Sequence, residues 1–188
     1  MRRAAFDAVV RHRSDVEVLQ VVNIPDWSDE VVAERFPNFY SRYREVNLIW
    51  SGSGRLTKGL LNAMKSMGLR PGVDLFLNSY GMNYSAFTHI EQASLTGSAG
   101  GHFVDGVWAL VLVHDFLNGH DFSSESVSYS LPMTLITQDN ITLFTKLKPD
   151  SLTKKGLQNV DFKRFSKVYN QGLSRYRFAL SDVLQQLQ

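Results

Sequence analysis

Short apolar runs alternate with amphipathic stretches through the first hundred residues, and brief connections carrying glycine join them. VEVLQVV at 16–22, NLIW at 47–50 and VDLFLNS at 73–79 have the β-branched, apolar character of buried strands. Between them, residues 2–12, WSDEVVAERFPNFYSRY and LTKGLLNAMKSMG place apolar residues at helical spacing. Ser28 is the expected N-cap of the second of these helices, Pro37 is expected to break or kink it, and Gly68 to end the third. SAFTHIEQA reads as a short helix and SLTGSAG as an extended segment, and 103–117 reads as a helix that is apolar almost all round. Strand–helix alternation of this kind predicts an α/β fold, a parallel sheet wound on both faces.

The alternation stops after the apolar helix. From Ser123 the chain is polar, SLPMTLIT stands apart as an isolated strand, and KPDSLTKKG reads as a loop or linker. Two short amphipathic helices are expected near 161–169 and 177–187. At 188 residues with 44% hydrophobic content the chain can bury a real core. A net charge of +2, with no run of basic residues longer than two, gives no nucleic-acid signature. The absence of cysteine removes disulfides, thiolate metal sites and cysteine nucleophiles. No segment has the apolar length of a membrane span, so membrane insertion is not expected.

The glycine-spaced loop in NLIWSGSGRLTKG invites a phosphate reading. GSGRLTKG has neither the spacing of a Walker loop nor a hydroxyl after its lysine, and Thr57 occupies the third position of a dinucleotide fingerprint. A tight strand-to-helix turn or the wall of a ligand crevice remains, because open α/β sheets bind ligands beyond the carboxyl ends of their strands. Trp50, Ser51 and Ser53 follow one strand, Tyr80, Asn83 and Tyr84 another; Asn23, Asp26 and Trp27 follow 16–22, and His102 follows SLTGSAGG. Aromatic rings with neutral amides and hydroxyls suit a polyhydroxylated neutral molecule. No nucleophile elbow, HExxH motif or histidine cluster points to catalysis or metal binding, so neither an enzyme nor a cofactor is expected. His114, on the apolar helix, is expected to be a hydrogen-bonded packing residue.

Most of the chain, from QVVNIPDW through GGHFVDGVWALVLVHDFL to DFKRFSKVYN and YRFAL, resembles type I periplasmic sugar-binding proteins of ABC transporters. It is most similar to their autoinducer-receptor-like branch. Gly59-Leu60-Leu61, the Gly81–Tyr84 loop and Gly100–Phe103 carry the match. The resemblance implies a periplasmic-binding-protein-like I fold, with a sugar held between two α/β lobes joined by three crossings. It implies a chain that begins within the second lobe, without a signal peptide, the first part of lobe one, or the opening strand and helix of lobe two. Residues 1–100 would be the C-terminal lobe, 101–147 a crossover helix and strand normally completing the other lobe and hinge, and 148–188 a helical tail.

Carried over, Arg2 matches an arginine that hydrogen-bonds sugar hydroxyls, Ser53-Gly54 stands where an Asn-Asp pair is usual, and Gly81 stands where a ligand-binding Asp is usual. Asn83 and Tyr84, His102 near the second crossing, and Asp139 (or its neighbour Gln138) near the third complete the expected ligand contacts, with Trp27 and Trp50 as cleft walls. The implied partners are a small carbohydrate or polyol and an ABC transporter permease or membrane sensor kinase, in the periplasm, with no nucleic acid. The effector domain of a repressor, which shares this fold, and a periplasmic sensor are the alternatives.

Overall fold

The computed structural model describes residues 2–147 and 150–188. Four short strands, β1 (Leu48–Trp50), β2 (Phe76–Tyr80), β3 (Gly97–Gly100) and β4 (Thr134–Ile136), form one sheet in the order β1-β2-β3-β4. The first three are parallel, with Leu48 opposite Phe76 and Ser79 opposite Ser98. SLPMTLIT, expected as an isolated strand, supplies β4, which joins antiparallel to β3 with Ser98 opposite Ile136.

Helices α1 (Arg2–Val10), α2 (Asp29–Arg42), α3 (Gly54–Ser66) and α4 (Tyr84–Glu91) surround the parallel part. Strand alternation sends Leu77 and Ser79 toward α3, while Phe76, Asn78 and Tyr80 face the opposite side. On the α3 side, Val32 and Phe36 of α2 and Leu60, Ala63 and Met64 of α3 close over Leu75 and Leu77. Each fully buried Leu or Met contributes about 2 kcal/mol of hydrophobic stabilisation. Gly59 makes that closure possible, because a Cβ there would stand 2.4 Å from the Asp29 carbonyl oxygen. At the crossing, the Asp29 carboxylate accepts from Lys58 Nζ at 2.7 Å and Arg55 Nε at 3.2 Å. The Lys58 hydrogen bond, reinforced by Arg55 against the burial of the group, holds the Asp29 carboxyl well below the ordinary carboxylate range.

Ser28 caps α2, its Oγ accepting from Val31 N at 3.2 Å. The helix continues through Pro37 to Arg42, so of the expected break or kink the break does not occur. Proline removes only its own amide bond, and the buried Phe36, stacked on Tyr40 with centroids 5.8 Å apart, holds the last turns to the core. VEVLQVV at 16–22 is not a strand. It forms no ladder, and Val16, Val18, Val21 and Val22 are exposed. β-Propensity acts through a pairing neighbour and a face to bury, and no strand lies beside this run.

The second core lies around α5 (Asp105–Leu117) and α8 (Leu180–Leu187), where Trp108 and Val111 meet Phe87, Ile136, Phe165 and Val183. Short helices α6 (Thr142–Thr145) and α7 (Lys154–Leu157) complete this half. The helix expected at 161–169 is a single 3-10 turn, Phe162–Phe165, whose Phe165 meets the Trp108 ring edge-on. The expected boundary at 148 falls on Lys148 and Pro149, outside the described residues.

Asp115, fully buried in the last turn of α5, ties the tail to this core. It accepts from Ser166 Oγ and Lys167 N, each at 2.5 Å, from Tyr176 Oη at 3.0 Å, and stands 3.1 Å from His114 Nδ1. Burial alone would raise its pKa, but the hydrogen bonds from Ser166, His114, Lys167 and Tyr176 outweigh it and hold the carboxyl below the ordinary range. His114 stacks on Tyr169 with centroids 5.3 Å apart, the packing role expected of it.

Candidate functional site

The carboxyl ends of β1, β2 and β3 lie at one edge of the sheet, and α1 meets the strand ends through Arg2 and Phe6. Each strand end delivers one aromatic or polar group. Trp50 closes β1, Tyr80 closes β2, and β3 runs through Gly100 and Gly101 to His102. Phe6 of α1 packs on the Trp50 ring with centroids 5.0 Å apart. The Arg2 guanidinium lies 3.8 Å from the Tyr80 ring centroid and 5.3 Å from that of Trp27, and Nη1 donates to the Gly52 carbonyl at 2.6 Å. On the far side of this group, Tyr80 and His102 are 5.5 Å apart between centroids.

Trp27 reaches the same place from the 3-10 turn Pro25–Trp27, whose Asp26 and Trp27 adopt φ of +55° and +54°. Two consecutive non-glycine residues in the left-handed region cost about 1–2 kcal/mol each. The strained turn swings the indole back over the β1 loop, where the rings of Trp27 and Trp50 come within 3.8 and 3.9 Å of the Cβ position of Gly52. Trp27 remains half-exposed, so an aromatic face is presented outward beside a half-buried guanidinium.

Arg2, Trp27, Trp50 and His102 are thus brought together as a line of rings and cation along the strand ends. Ser53 and Asn83 lie beside them with their side chains already engaged as helix caps. Ser53 Oγ accepts from Leu56 N at 3.2 Å, and Asn83 Oδ1 accepts from Ala86 N at 2.9 Å. The Asn83 Nδ2 group sits 3.1 Å from the Cβ position of Gly54, so the two loops touch. Tyr84 is exposed on the first turn of α4.

Asp139 is not part of this group. Because β4 runs antiparallel to β3, the turn that follows Ile136 lies at the opposite edge of the sheet, beside Gly97. There Asp139 accepts from Thr137 Oγ1 at 3.5 Å, within a turn pinned by Asn140.

Tyr80 is the residue that sequence reasoning undervalued. Its signal is period-two alternation, which puts it with Asn78 on the face opposite α3, but the platform it makes for Arg2 depends on where α1 lies. Gly81 follows it at φ +132°, with its carbonyl accepting from Ser98 Oγ at 2.6 Å. That backbone favours glycine, so the missing acidic side chain at this position is matched by the loop's conformation.

Two cavities lie elsewhere. One of about 590 Å³ runs between α3 and α4 and is lined by Thr57, Lys58, Asn62, Lys65 and His89 among others. The other, about 190 Å³, is a hollow beside α5 near His114 and Tyr169. The strand-end group is instead an open shelf, one wall of a crevice. No cluster among the described residues could hold a metal ion, and no helix among them is long and apolar enough to cross a membrane.

No known family profile matches the chain, and neither does any curated protein. Solved structures do. A periplasmic sugar-binding protein from Pseudomonas fluorescens superposes with a TM-score of 0.77 at 25% identity, covering 97% of this chain and 54% of its own. The periplasmic binding protein of an arabinose ABC transporter from a Shewanella species, bound to L-arabinofuranose, gives a TM-score of 0.66 at 17% identity over 77% of this chain and 48% of its own. A solute-binding protein of an ABC transporter from Bacillus halodurans, with bound myo-inositol, gives 0.64 at 14% identity over 78% and 49%. The fold is therefore the periplasmic-binding-protein-like I fold, and the structural neighbours are periplasmic sugar-binding proteins of ABC transporters. The chain spans about half the length of the structures it matches. None of these three is an autoinducer receptor by name, so the finer branch gains no support from them.

Proposed function

We propose that this chain is the ligand-binding lobe of a periplasmic sugar receptor that serves an ABC transporter. A small carbohydrate or polyol would lie against the strand-end shelf. The observation that carries the reading is the convergence of Arg2, Trp27, Trp50, Tyr80 and His102 on the one sheet edge where α/β folds receive ligands. Trp27 offers an open ring for the C–H face of a sugar, and Arg2 retains unspent N–H donors for its oxygens after the single bond to Gly52.

Neighbours of about twice this length support a facing wall supplied by a second lobe. Closure of two lobes over the sugar would then be the form that a permease reads. The receptor reading is favoured over catalysis because the shelf holds no nucleophile–base pair, and over a repressor's effector domain because the neighbours are named as a periplasmic sugar-binding protein and as binding proteins of ABC transporters. Ligand-observed NMR with a library of pentoses, hexoses and inositols provides the test, since one wall of a crevice binds in the millimolar range. Saturation transfer to at least one sugar, abolished by Trp27→Ala, is the expected result. Silence across the library and across the acids of the same sugars would reject the receptor reading.

A further inference from the structure

Arg2 carries the charge that is seated among the rings of the shelf. Arg2 is half-buried against Tyr80 and Trp27, and among the described residues it makes no ion pair, whereas the adjacent Arg3 is paired with Asp7 at 2.6 Å. The carboxylates in the same loops, Asp26 and Asp105, are exposed and form no ion pair with it. Helices α3 and α4 open from the same edge with no acidic residue in their first turns, and the Asp29 carboxylate at the start of α2 is buried and already paired with Arg55 and Lys58. Ser53-Gly54 and Gly81 leave the β1 and β2 loops without any carboxylate.

The hydroxyls of a neutral sugar donate as well as accept, so a site for one needs acceptors beside its arginine. Here the shelf offers mainly donors and a fixed positive charge. Such a donor-rich surface is complementary to a ligand that brings its own anion.

We infer that the ligand is a sugar acid, a small polyhydroxylated carboxylate of the uronate or aldonate class, whose carboxylate is taken by the free edge of the Arg2 guanidinium. The inference rests on the receptor reading above and names its ligand class. A carboxylate fits better than a phosphate because the line of rings contains a single guanidinium, which pairs fork to fork with a planar monoanion. Tyr80 and the Gly52 carbonyl hold the guanidinium in place, so little side-chain entropy is left to lose on binding. Trp27, beside the cation, remains available for the ring or chain carbons of the same ligand.

The test titrates the 188-residue chain by NMR with a panel of hexuronates and aldonates, their neutral parent sugars, sugar phosphates and acetate. Sugar acids are expected to bind about tenfold tighter than the neutral parents, as one charge-assisted fork requires, and tighter than acetate. Arg2→Gln should bring them down to the neutral level, and Arg2→Lys should recover part of the loss, with circular dichroism confirming that both variants fold. Raising the salt concentration should narrow the gap. Neutral sugars binding as well as their acids, or sugar acids indifferent to Arg2→Gln, would overturn the inference and leave the receptor reading standing. Sugar phosphates ahead of sugar acids, or acetate equal to them, would overturn it in favour of a different anion. Silence from every carbohydrate would remove the receptor reading itself.

Discussion

At the scale of single residues, stability concentrates on Asp115. A carboxylate with no exposed surface accepts from a hydroxyl, a phenol and a backbone amide of the C-terminal tail, so α5 and the tail share one anchor. Asp115→Ala would strand those donors in the core and is expected to cost about 3 kcal/mol or more, read by urea or thermal unfolding. The pH dependence follows in sign from the depressed carboxyl. A group held lower in the folded state than in the unfolded chain stabilises the fold at pH above its ordinary value. That stabilisation fades as pH falls through the depressed folded value. Glu125 is held low too, by Lys167 and the Tyr176 amide against its burial, and acts in the same direction. The stability gap between wild type and Asp115→Ala should therefore be full at pH 7 and shrink in acid below about pH 4. A gap independent of pH would mean that Asp115 acts by shape and not by charge.

At the scale of elements, α5 has two unlike faces. Trp108, Val111 and Asp115 are buried, while Leu110, Val113, Phe116 and Leu117 are exposed, the last leucine at 77%. An uncovered apolar stripe of this kind promotes association. Replacing Leu110 and Leu117 with lysine should lower light scattering at high concentration and leave the melting temperature nearly unchanged, since neither side chain contributes to the core. A large drop in stability would show that the stripe is packed in solution. Helices α3, α4 and α5 and the strands around them were legible in the sequence to within a few residues, because local periodicity decides them. Residues 16–22 and Pro37 were not legible. The first has strand composition but no strand beside it, and the second sits in a helix held by Phe36 against α3. Both outcomes depend on neighbours remote in sequence. The same holds for the site. Strand ends could be read from the pattern, but the stacking of Arg2 on Tyr80 and the removal of Asp139 to the far edge follow from the placement of α1 and the antiparallel β4.

At the scale of the whole molecule, parallel strands point their carboxyl ends, one wall of aromatic side chains and one unpaired guanidinium toward the same edge. The other edge carries the Asp139 turn, and the helical side carries the groove between α3 and α4. The proposed receptor would take its ligand at the first of these places. The most direct measurement is a two-dimensional amide and indole NMR titration with whichever carbohydrate binds. The account expects shifts at the Trp27 and Trp50 indoles and at the amides of Gly52, Tyr80 and His102, with Asp139 and the α3–α4 groove undisturbed. Shifts centred on that groove or on the hollow beside α5, with the strand ends silent, would contradict it.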